Sequence, residues 1–481
     1  MFTLPSPQSG SGIHFIGIGG TGLSAIARLL LEMGYPVTGS DRVLSPLAVS
    51  LQEAGVRVFS GHHAQNVQGA GMVIRSSAIP DDNPEVQAAL AEGIPVLKRA
   101  DFLGQLMEGR TGIAIAGTHG KTTTTAMVSW ILTSLGQDPS YIIGSVANNL
   151  GTNAHAGKGT AFVIEADEYD YMFLGLRPVI AVITNIEHDH PDCFPTAEDY
   201  YGAFLAFVER LSPTGVLLAC GDDPGTARLL FDVKSPGRRK LAYGLKNTHS
   251  AYTANDVIPN ECGGFDARLS IQQQAVPLTL QVPGIHNILN ALASVAVADQ
   301  LGLDVTRAAE ALGEYRGSDR RFQVRAEIGG VTVIDDYAHH PTEIRATLSA
   351  ARARYPGRKI WAVWQPHTYS RTRALLNDFA VSFLDADKVI VTEVYAAREA
   401  VPEDGFSAQQ VVAAMRYPDI YFTPDLFDAG VLLLSNLQPG DVLLVLSAGD
   451  ADQISTRVIQ GLAGRGDPVW MPAIPSGRMQ L

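Results

Sequence analysis

A chain of 481 residues has room for roughly two to four domains, and its 46% hydrophobic content with 47 glycines fits an α/β protein. Its formal net charge of −13 argues against a broad surface for nucleic acid or an anionic membrane, though not against a small anionic ligand held by local amides and a few basic side chains. The three cysteines, Cys193, Cys220 and Cys262, form no C-x-x-C pair and fit the reducing cytoplasm, and no apolar run approaches membrane-spanning length.

Met1–Gly12 is polar, lacks the basic and apolar regions of a signal peptide, and reads as a flexible tail. The first block begins with a strand, His14–Ile16, and a G-x-G-x-x-G turn made of Gly17, Gly19, Gly20 and Gly22. A helix is predicted over Leu23–Met33, and a second strand from Tyr35 to Gly39 leads to Asp41. Glycine turn and acid together point to a bound diphosphate, with the acid on a ribose hydroxyl. A redox dinucleotide is one version of that site, and a different nucleotide diphosphate is the favoured one.

The second block opens near Gly109. An apolar strand, Gly112–Ala116, runs into Gly117-Thr118-His119-Gly120-Lys121-Thr122-Thr123, and a helix is predicted over Thr124–Leu135. A strand, a glycine-rich turn bearing Lys-Thr and a helix make a phosphate cradle. Amides of Gly117, Thr118, Gly120 and Thr123 face the anion, Lys121 supplies charge, and the Thr122 hydroxyl can hold Mg²⁺. The loop is a short variant, with Ile115 where the longer pattern has its first glycine. Strands at Ala161–Ile164 and Val179–Thr184 each end in polar clusters, Glu165-Ala166-Asp167-Glu168 and Asn185-Ile186-Glu187-His188-Asp189-His190. Acids at strand ends beside a phosphate loop are placed like divalent-ion ligands, and Glu165 is the chosen one; a histidine of the second cluster is the other candidate. Zinc fits less well, for want of a third His or Cys at suitable spacing. A helix is predicted over Tyr200–Leu211, antiparallel strands within Asp232–Pro283, and a helix over Asn287–Leu301 that carries Asn290 near its start.

The third block starts near Val324. Strands at Val331–Ile334, Lys359–Trp364, Lys388–Val394 and Val442–Leu446 alternate with helices at Thr342–Tyr355 and Thr372–Leu384, which argues a mostly parallel sheet. Its polar groups stand at strand ends: Arg320-Arg321 and Asp335-Asp336-Tyr337-Ala338-His339-His340 near its start, then Gln365-Pro366-His367-Thr368-Tyr369-Ser370-Arg371. The fold expectation is three α/β domains: a Rossmann-like one over 1–107, a P-loop ATP-binding one over 108–323 and a second Rossmann-like one over 324–481.

Taken together, GIGGTGLS at Gly17–Ser24, AGTHGKTTTT at Ala116–Thr125, EADE at Glu165–Glu168, TNIEHDH at Thr184–His190, HNILNALA at His286–Ala293, DDYAHHPTE at Asp335–Glu343 and QPHTYSRTR at Gln365–Arg373 resemble the Mur ligases over nearly the whole chain. The resemblance is strongest to those members that join L-alanine to UDP-N-acetylmuramate with ATP and Mg²⁺, the first amino-acid addition in peptidoglycan precursor synthesis. The alternative within the family is the recycling ligase that attaches a preformed tripeptide. The resemblance implies that Lys121 stabilises the transferred phosphoryl group, that Thr122, Glu165 and His190 hold Mg²⁺, and that Asn290, Arg321 and Asp335 contact ATP. It implies His339 and Arg371 near the amino acid or reacting carboxylate. Substrate binding falls to Gly17, Gly19, Gly20, Gly22, Asp41 and Ser76 on the UDP-sugar and to Tyr337 and His367. The sequence departs from the commoner family pattern at Tyr169, often Ser; at Thr368, often Arg; and at His188 and Pro191–Phe194, where A-D-H-L/M-D-T-Y is usual. No lysine lies between Pro191 and Val233, a region where several other relatives place a carbamoylated one.

Overall fold

The computed structural model describes residues 7, 11–234, 237–246, 250–272, 274–417 and 419–464. Most of the expected tail at Met1–Gly12 lies outside that set, as does everything after 464. The chain divides into two compact units, Met1–Asp319 and Arg320–Leu481. No helix among the described residues is long and apolar enough to cross a membrane.

The first unit holds two sheets. In the smaller, β1 (Gly12–Ile16), β2 (Val37–Asp41), β3 (Arg57–Ser60), β4 (Ala70–Arg75) and β5 (Val96–Lys98) are all parallel, in the order β3-β2-β1-β4-β5. The order reverses at β1, so a crevice opens past its carboxyl end, and the glycine turn sits there. The helix after the turn, Thr21–Glu32, starts two residues earlier than the apolar period alone suggested.

The larger sheet has ten strands: β6 (Thr111–Ala116), β7 (Ser140–Ala147), β8 (Thr152–His155), β9 (Ala161–Glu165), β10 (Ile180–Ile183), β11 (Val216–Cys220), β12 (Arg239–Gly244), β13 (Tyr252–Pro259), β14 (Phe265–Ile271) and β15 (Gln274–Leu280). They lie in the order β15-β14-β13-β12-β11-β10-β6-β9-β7-β8. The predicted antiparallel pairing is present at β13–β14–β15, while β12 runs parallel to β13. At the centre, β6 is flanked by β10 and β9, both parallel to it. Three chain segments therefore finish side by side: the phosphate loop, the Glu165 run and the Thr184–His190 run.

The second unit carries β16 (Gln323–Ile328), β17 (Val331–Asp336), β18 (Ile360–Trp364), β19 (Lys388–Val391), β20 (Ile420–Phe422) and β21 (Val442–Leu446), in the order β16-β17-β21-β18-β19-β20. Only β16 is antiparallel to its neighbour. Trp361 and Trp364 fill opposite faces of this sheet, as alternation along β18 requires. The expected helix Thr372–Leu384 is instead two short pieces, Tyr369–Ala374 and Leu376–Phe379. Helices at Ala408–Ala414, Leu426–Asn436 and Asp452–Gly464, and strands β16 and β20, went unread in the sequence.

A buried carboxylate ties the smaller sheet together. Glu85, fully buried, accepts hydrogen bonds from Ser40 Oγ (2.5 Å) and Asn66 Nδ2 (2.5 Å), and lies 3.6 Å from His14 Nε2. Burial alone would raise its pKa; the His14, Ser40 and Asn66 contacts outweigh burial and hold it at about 2, against an ordinary 4.5. A depressed pKa means stability present above the unfolded value and lost as pH falls through about 2. Glu85→Gln is expected to cost the first unit on the order of 3 kcal/mol at neutral pH and to flatten its pH dependence between about 5 and 2. Urea denaturation across that range reads both, and an unchanged acid limb would refute the linkage.

Candidate active site

The glycine turn after β1 is stitched to β2. Gly17 N and Ile18 N donate to the Ser40 carbonyl (2.8 and 3.0 Å), and Gly19 N donates to Asp41 Oδ2 (2.9 Å). Asp41 thus spends one oxygen on holding the turn itself. Gly17 has φ of +84°, and a side chain at Gly19 would begin 2.9 Å from Asp41 Oδ2. Ser76 N donates to the Ile16 carbonyl (3.1 Å), which puts Ser76 at the end of the adjacent strand β4 beside Gly17. Gly20 caps the following helix, and Gly22 in its first turn is covered by the Arg99 guanidinium. Arg99, singled out by no motif, also lies 3.5 Å from Asp167 Oδ2.

The phosphate loop is tighter. Gly117 has φ of +135°, and a Cβ there would come within 2.0 Å of Thr184 Oγ1. Gly120, φ +79°, precedes the helix Lys121–Ser134, and a Cβ would meet Asn290 Oδ1 at 2.7 Å, so Asn290 stands directly against the loop. Thr118 Oγ1 donates to the Glu187 carbonyl (2.8 Å), and His119 N donates to Asn185 Oδ1 (2.8 Å). These bonds bind the loop after β6 to the segment after β10. Thr123 is in the first turn of the helix.

Lys121 Nζ donates to the carbonyls of Gly117 (2.5 Å) and Thr118 (3.0 Å) and pairs with Glu168 Oε2 (2.9 Å). Burial pulls the Lys121 pKa down, but the Glu168, Asp167 and Glu165 carboxylates overcome it and hold the ammonium above its ordinary range. Glu168 is 1% exposed; it also accepts from Tyr200 Oη (3.1 Å) and lies 3.6 Å from His190 Nε2. Burial pushes the Tyr200 phenol well above its usual pKa, so it stays a donor. Thr122 Oγ1 donates to Glu165 Oε1 (2.9 Å), whose other oxygen accepts from Gly144 N (2.6 Å). The structure thus brings Lys121, Thr122, Glu165 and His190 to one end of the sheet. It adds Glu168 and Tyr200, which sequence reasoning passed over: both carboxylates follow the same strand, and only the fold shows which one faces Lys121.

In the second unit, Tyr337, His339 and His367 form a line of rings. Centroids are 5.4 Å apart for Tyr337–His339 and 5.8 Å for His339–His367, and the line ends on Tyr395 at 5.7 Å. Arg321 lies over the Tyr337 ring at 4.9 Å. Arg371, 2% exposed, donates through Nη1 to His367 Nδ1 (3.0 Å). Asp335, expected at the nucleotide, is engaged by partners of its own unit. It is 1% exposed, and its carboxylate is taken up by Ser455 Oγ and Arg325. The next residue, Asp336, faces the other side of β17 and accepts from Phe322 N (2.7 Å) and Ala338 N (2.8 Å). Burial pushes the Asp336 pKa up to about 6, against the pull of the Arg321 charge and those amide bonds. Strand alternation sends the two acids to opposite faces of β17, where both are buried, and the sequence alone does not say which partners each one meets.

Comparison with known proteins gives three family matches: the Mur ligase family catalytic domain over residues 12–111, the Mur ligase middle domain over 115–298 and the Mur ligase glutamate ligase domain over 320–449. A UDP-N-acetylmuramate–L-alanine ligase of Acidobacterium capsulatum is 42% identical over 460 residues, 94% of this chain and 98% of that protein. Among solved structures, a UDP-N-acetylmuramate–alanine ligase of Thermotoga maritima matches with a TM-score of 0.79 at 30% identity, covering 94% of this chain and 99% of its own. A murein peptide ligase of Psychrobacter arcticus matches with a TM-score of 0.74 at 26% identity, over 96% of this chain and 100% of its own.

Two substitutions separate charge from shape in the loop. Lys121→Ala removes one preorganised charge and is expected to lower turnover by about 10²–10³; it also leaves Glu168 buried without its cation, so the unfolding temperature is expected to fall too, and turnover is read below that transition. Gly117→Ala places a methyl where Thr184 stands and is expected to abolish nucleotide binding itself, measured by calorimetry. A folded Lys121→Ala variant with wild-type ADP release would remove Lys121 from the chemistry.

Proposed function

The chain belongs to the Mur ligase family, and from that premise we propose that it joins L-alanine to the carboxylate of UDP-N-acetylmuramate at the expense of ATP. The observation that carries this reading is 42% identity, across 94% of the chain, to a ligase of that activity. The geometry supports it: a phosphate loop with its lysine in place stands beside a hydroxyl–carboxylate pair.

A carboxylate is a poor acyl donor. In the proposed reaction one of its oxygens attacks the γ-phosphorus of ATP, the bond to the ADP oxygen breaks, and an acyl phosphate forms. The amine of L-alanine then attacks the acyl carbon. The tetrahedral intermediate expels phosphate, the nitrogen loses a proton, and an amide remains. Catalysis here is mainly positioning and electrostatics. Amides of the Gly117–Thr123 loop cradle the phosphates, Lys121 stabilises the transferred group, and Asn290 stands against the same loop for the nucleotide. The Thr122 hydroxyl and Glu165 carboxylate offer the oxygen ligands a hard cation prefers, and His190 is the third donor of this reading. Mg²⁺ held there would offset charge on the transferred phosphoryl group. Glu168 keeps Lys121 charged and oriented.

The glycine turn, with Asp41 and Ser76, takes the UDP part of the sugar substrate. Arg99 extends that site, because its guanidinium covers the first turn of the helix aimed at the diphosphate. His339 and Arg371, with Tyr337 and His367 alongside, take the amino acid or reacting carboxylate. Asp335 is given no role at ATP, because its carboxylate is used inside its own unit. The reading places the reaction in the cytoplasm.

Three measurements test these assignments. With UDP-N-acetylmuramate and ATP, L-alanine is expected to have a higher kcat/KM than a preformed stem tripeptide. One methylene too many in a fitted pocket already costs about 1–3 kcal/mol; a tripeptide preference would transfer the chain to the recycling ligases. Arg99→Gln is expected to raise KM for UDP-N-acetylmuramate about tenfold, the scale of one charge-assisted hydrogen bond, with KM for ATP unmoved. Glu165→Gln and His190→Ala are each expected to raise the Mg²⁺ concentration needed for half-maximal activity, and unchanged titrations in both would return these residues to structural roles.

A further inference from the structure

Tyr169, His188 and Phe194 meet around one short turn. The turn runs from His190 to Phe194 and is closed by Cys193 N and Phe194 N, both donating to the His190 carbonyl (2.9 and 2.8 Å). His190 itself has φ of +54°, a left-handed conformation that a non-glycine residue holds only when its surroundings impose it.

The surroundings are Tyr169, His188 and the segments that carry them. Tyr169 Oη donates to Asp192 Oδ2 (3.1 Å), and its ring lies 5.1 Å from the His190 ring. His188 Nε2 donates to the Phe194 carbonyl (2.8 Å), across the base of the same turn. The Phe194 ring is fully buried between Tyr171 at 5.0 Å and Tyr200 at 5.1 Å. Tyr200 in turn donates to Glu168, the carboxylate 3.6 Å from His190 Nε2. Asp170 and Tyr171, immediately after Tyr169, also have positive φ (55° and 54°), so this segment too is bent to reach the turn.

We propose that Tyr169 and His188 are positioning residues for His190, fastening the His190–Phe194 turn from its outer side and its base so that the imidazole stays beside Glu168. Neither touches a reacting atom. Their effect passes through the orientation of one ligand side chain, which is how groups behind a metal ligand ordinarily act; removing such a group typically costs 10–100-fold in metal affinity. A serine at 169 reaches neither Asp192 nor the ring. An alanine at 188 cannot close the base. The proposal rests on the reading of His190 as a metal ligand.

The test uses Mn²⁺ as probe, added to the full-length protein saturated with a non-hydrolysable ATP analogue, with free ion counted by electron paramagnetic resonance. Tyr169→Ser is expected to weaken Mn²⁺ binding about tenfold or more, and His188→Ala to weaken it in the same direction. Tyr169→Phe, which keeps the ring on His190 but loses the bond to Asp192, is expected to fall between wild type and Tyr169→Ser. A purely structural role would lower the unfolding temperature and leave Mn²⁺ affinity unmoved at lower temperature. Wild-type affinity in both Tyr169→Ser and His188→Ala, beside weakened binding in His190→Ala, overturns the positioning role alone. Wild-type affinity in His190→Ala overturns the metal assignment and the proposal with it.

Discussion

The buried pair between Lys121 and Glu168 is the interaction on which the rest of the catalytic face turns. A carboxylate that is 1% exposed is tolerated only with charge and donors around it, and Glu168 has the Lys121 ammonium at 2.9 Å, the Tyr200 hydroxyl at 3.1 Å and His190 at 3.6 Å. Each partner comes from a different segment: the loop after β6, the helix Ala197–Glu209 and the run after β10. Satisfying one buried acid therefore fixes three elements at once. The Thr122–Glu165 bond, on the same strand ends, is set by the same register: Ile115 pairs with Glu165 across β6 and β9, and Ala116 with Ile183 across β6 and β10.

The two units solve a similar problem by similar means. In both, chemistry-bearing residues sit where parallel strands end, because loops there are free of the sheet's hydrogen bonding and converge from neighbouring strands. In the second unit the ends of β17, β21 and β18 lie in register, Asp336 with Leu446 and Leu446 with Trp364. Gln365, just after β18, uses its amide oxygen to accept from Ser447 Oγ (2.7 Å), Asp450 N (3.1 Å) and Ala451 N (3.2 Å), which ties the loop after β21 to the segment carrying His367 and Arg371.

Residues whose meaning is local were legible in the sequence. The phosphate loop is a contiguous pattern, and its glycines are explained by positive φ and by the approach of Thr184 and Asn290. Strands such as Val442–Leu446, buried on both faces, announce themselves as apolar runs. What could not be read were choices that depend on facing. Asp335 and Asp336 are adjacent and chemically alike, and both are consumed inside the unit; only the packing on the two faces of β17 shows that Asp335 meets Ser455 and Arg325 while Asp336 meets Phe322 N and Ala338 N. The stretch 372–384 has helical composition, yet it is divided at Leu375, which leaves the helical region. Arg99 reaches Gly22 and Asp167, and Glu168 reaches Lys121, across stretches of sequence that no single motif spans.

The same buried pair constrains how the lysine can act. An ammonium has three donors, and those of Lys121 are engaged by two carbonyls of its own loop and by Glu168. Phosphoryl oxygens can reach it only by exchange. The carbonyls of Gly117 and Thr118 are the partners to give up, since they are neutral and belong to a loop whose amides turn to the same phosphates. Releasing Glu168 instead would strand a buried carboxylate, at a cost of several kcal/mol. In the reaction proposed above, Lys121 would pivot about a fixed salt bridge, trading loop carbonyls for phosphate while its charge stays anchored. Because carbonyl and phosphate oxygens compete for the same two protons, the charged phosphate oxygen is the stronger acceptor and displaces the neutral carbonyls in the proposed reaction.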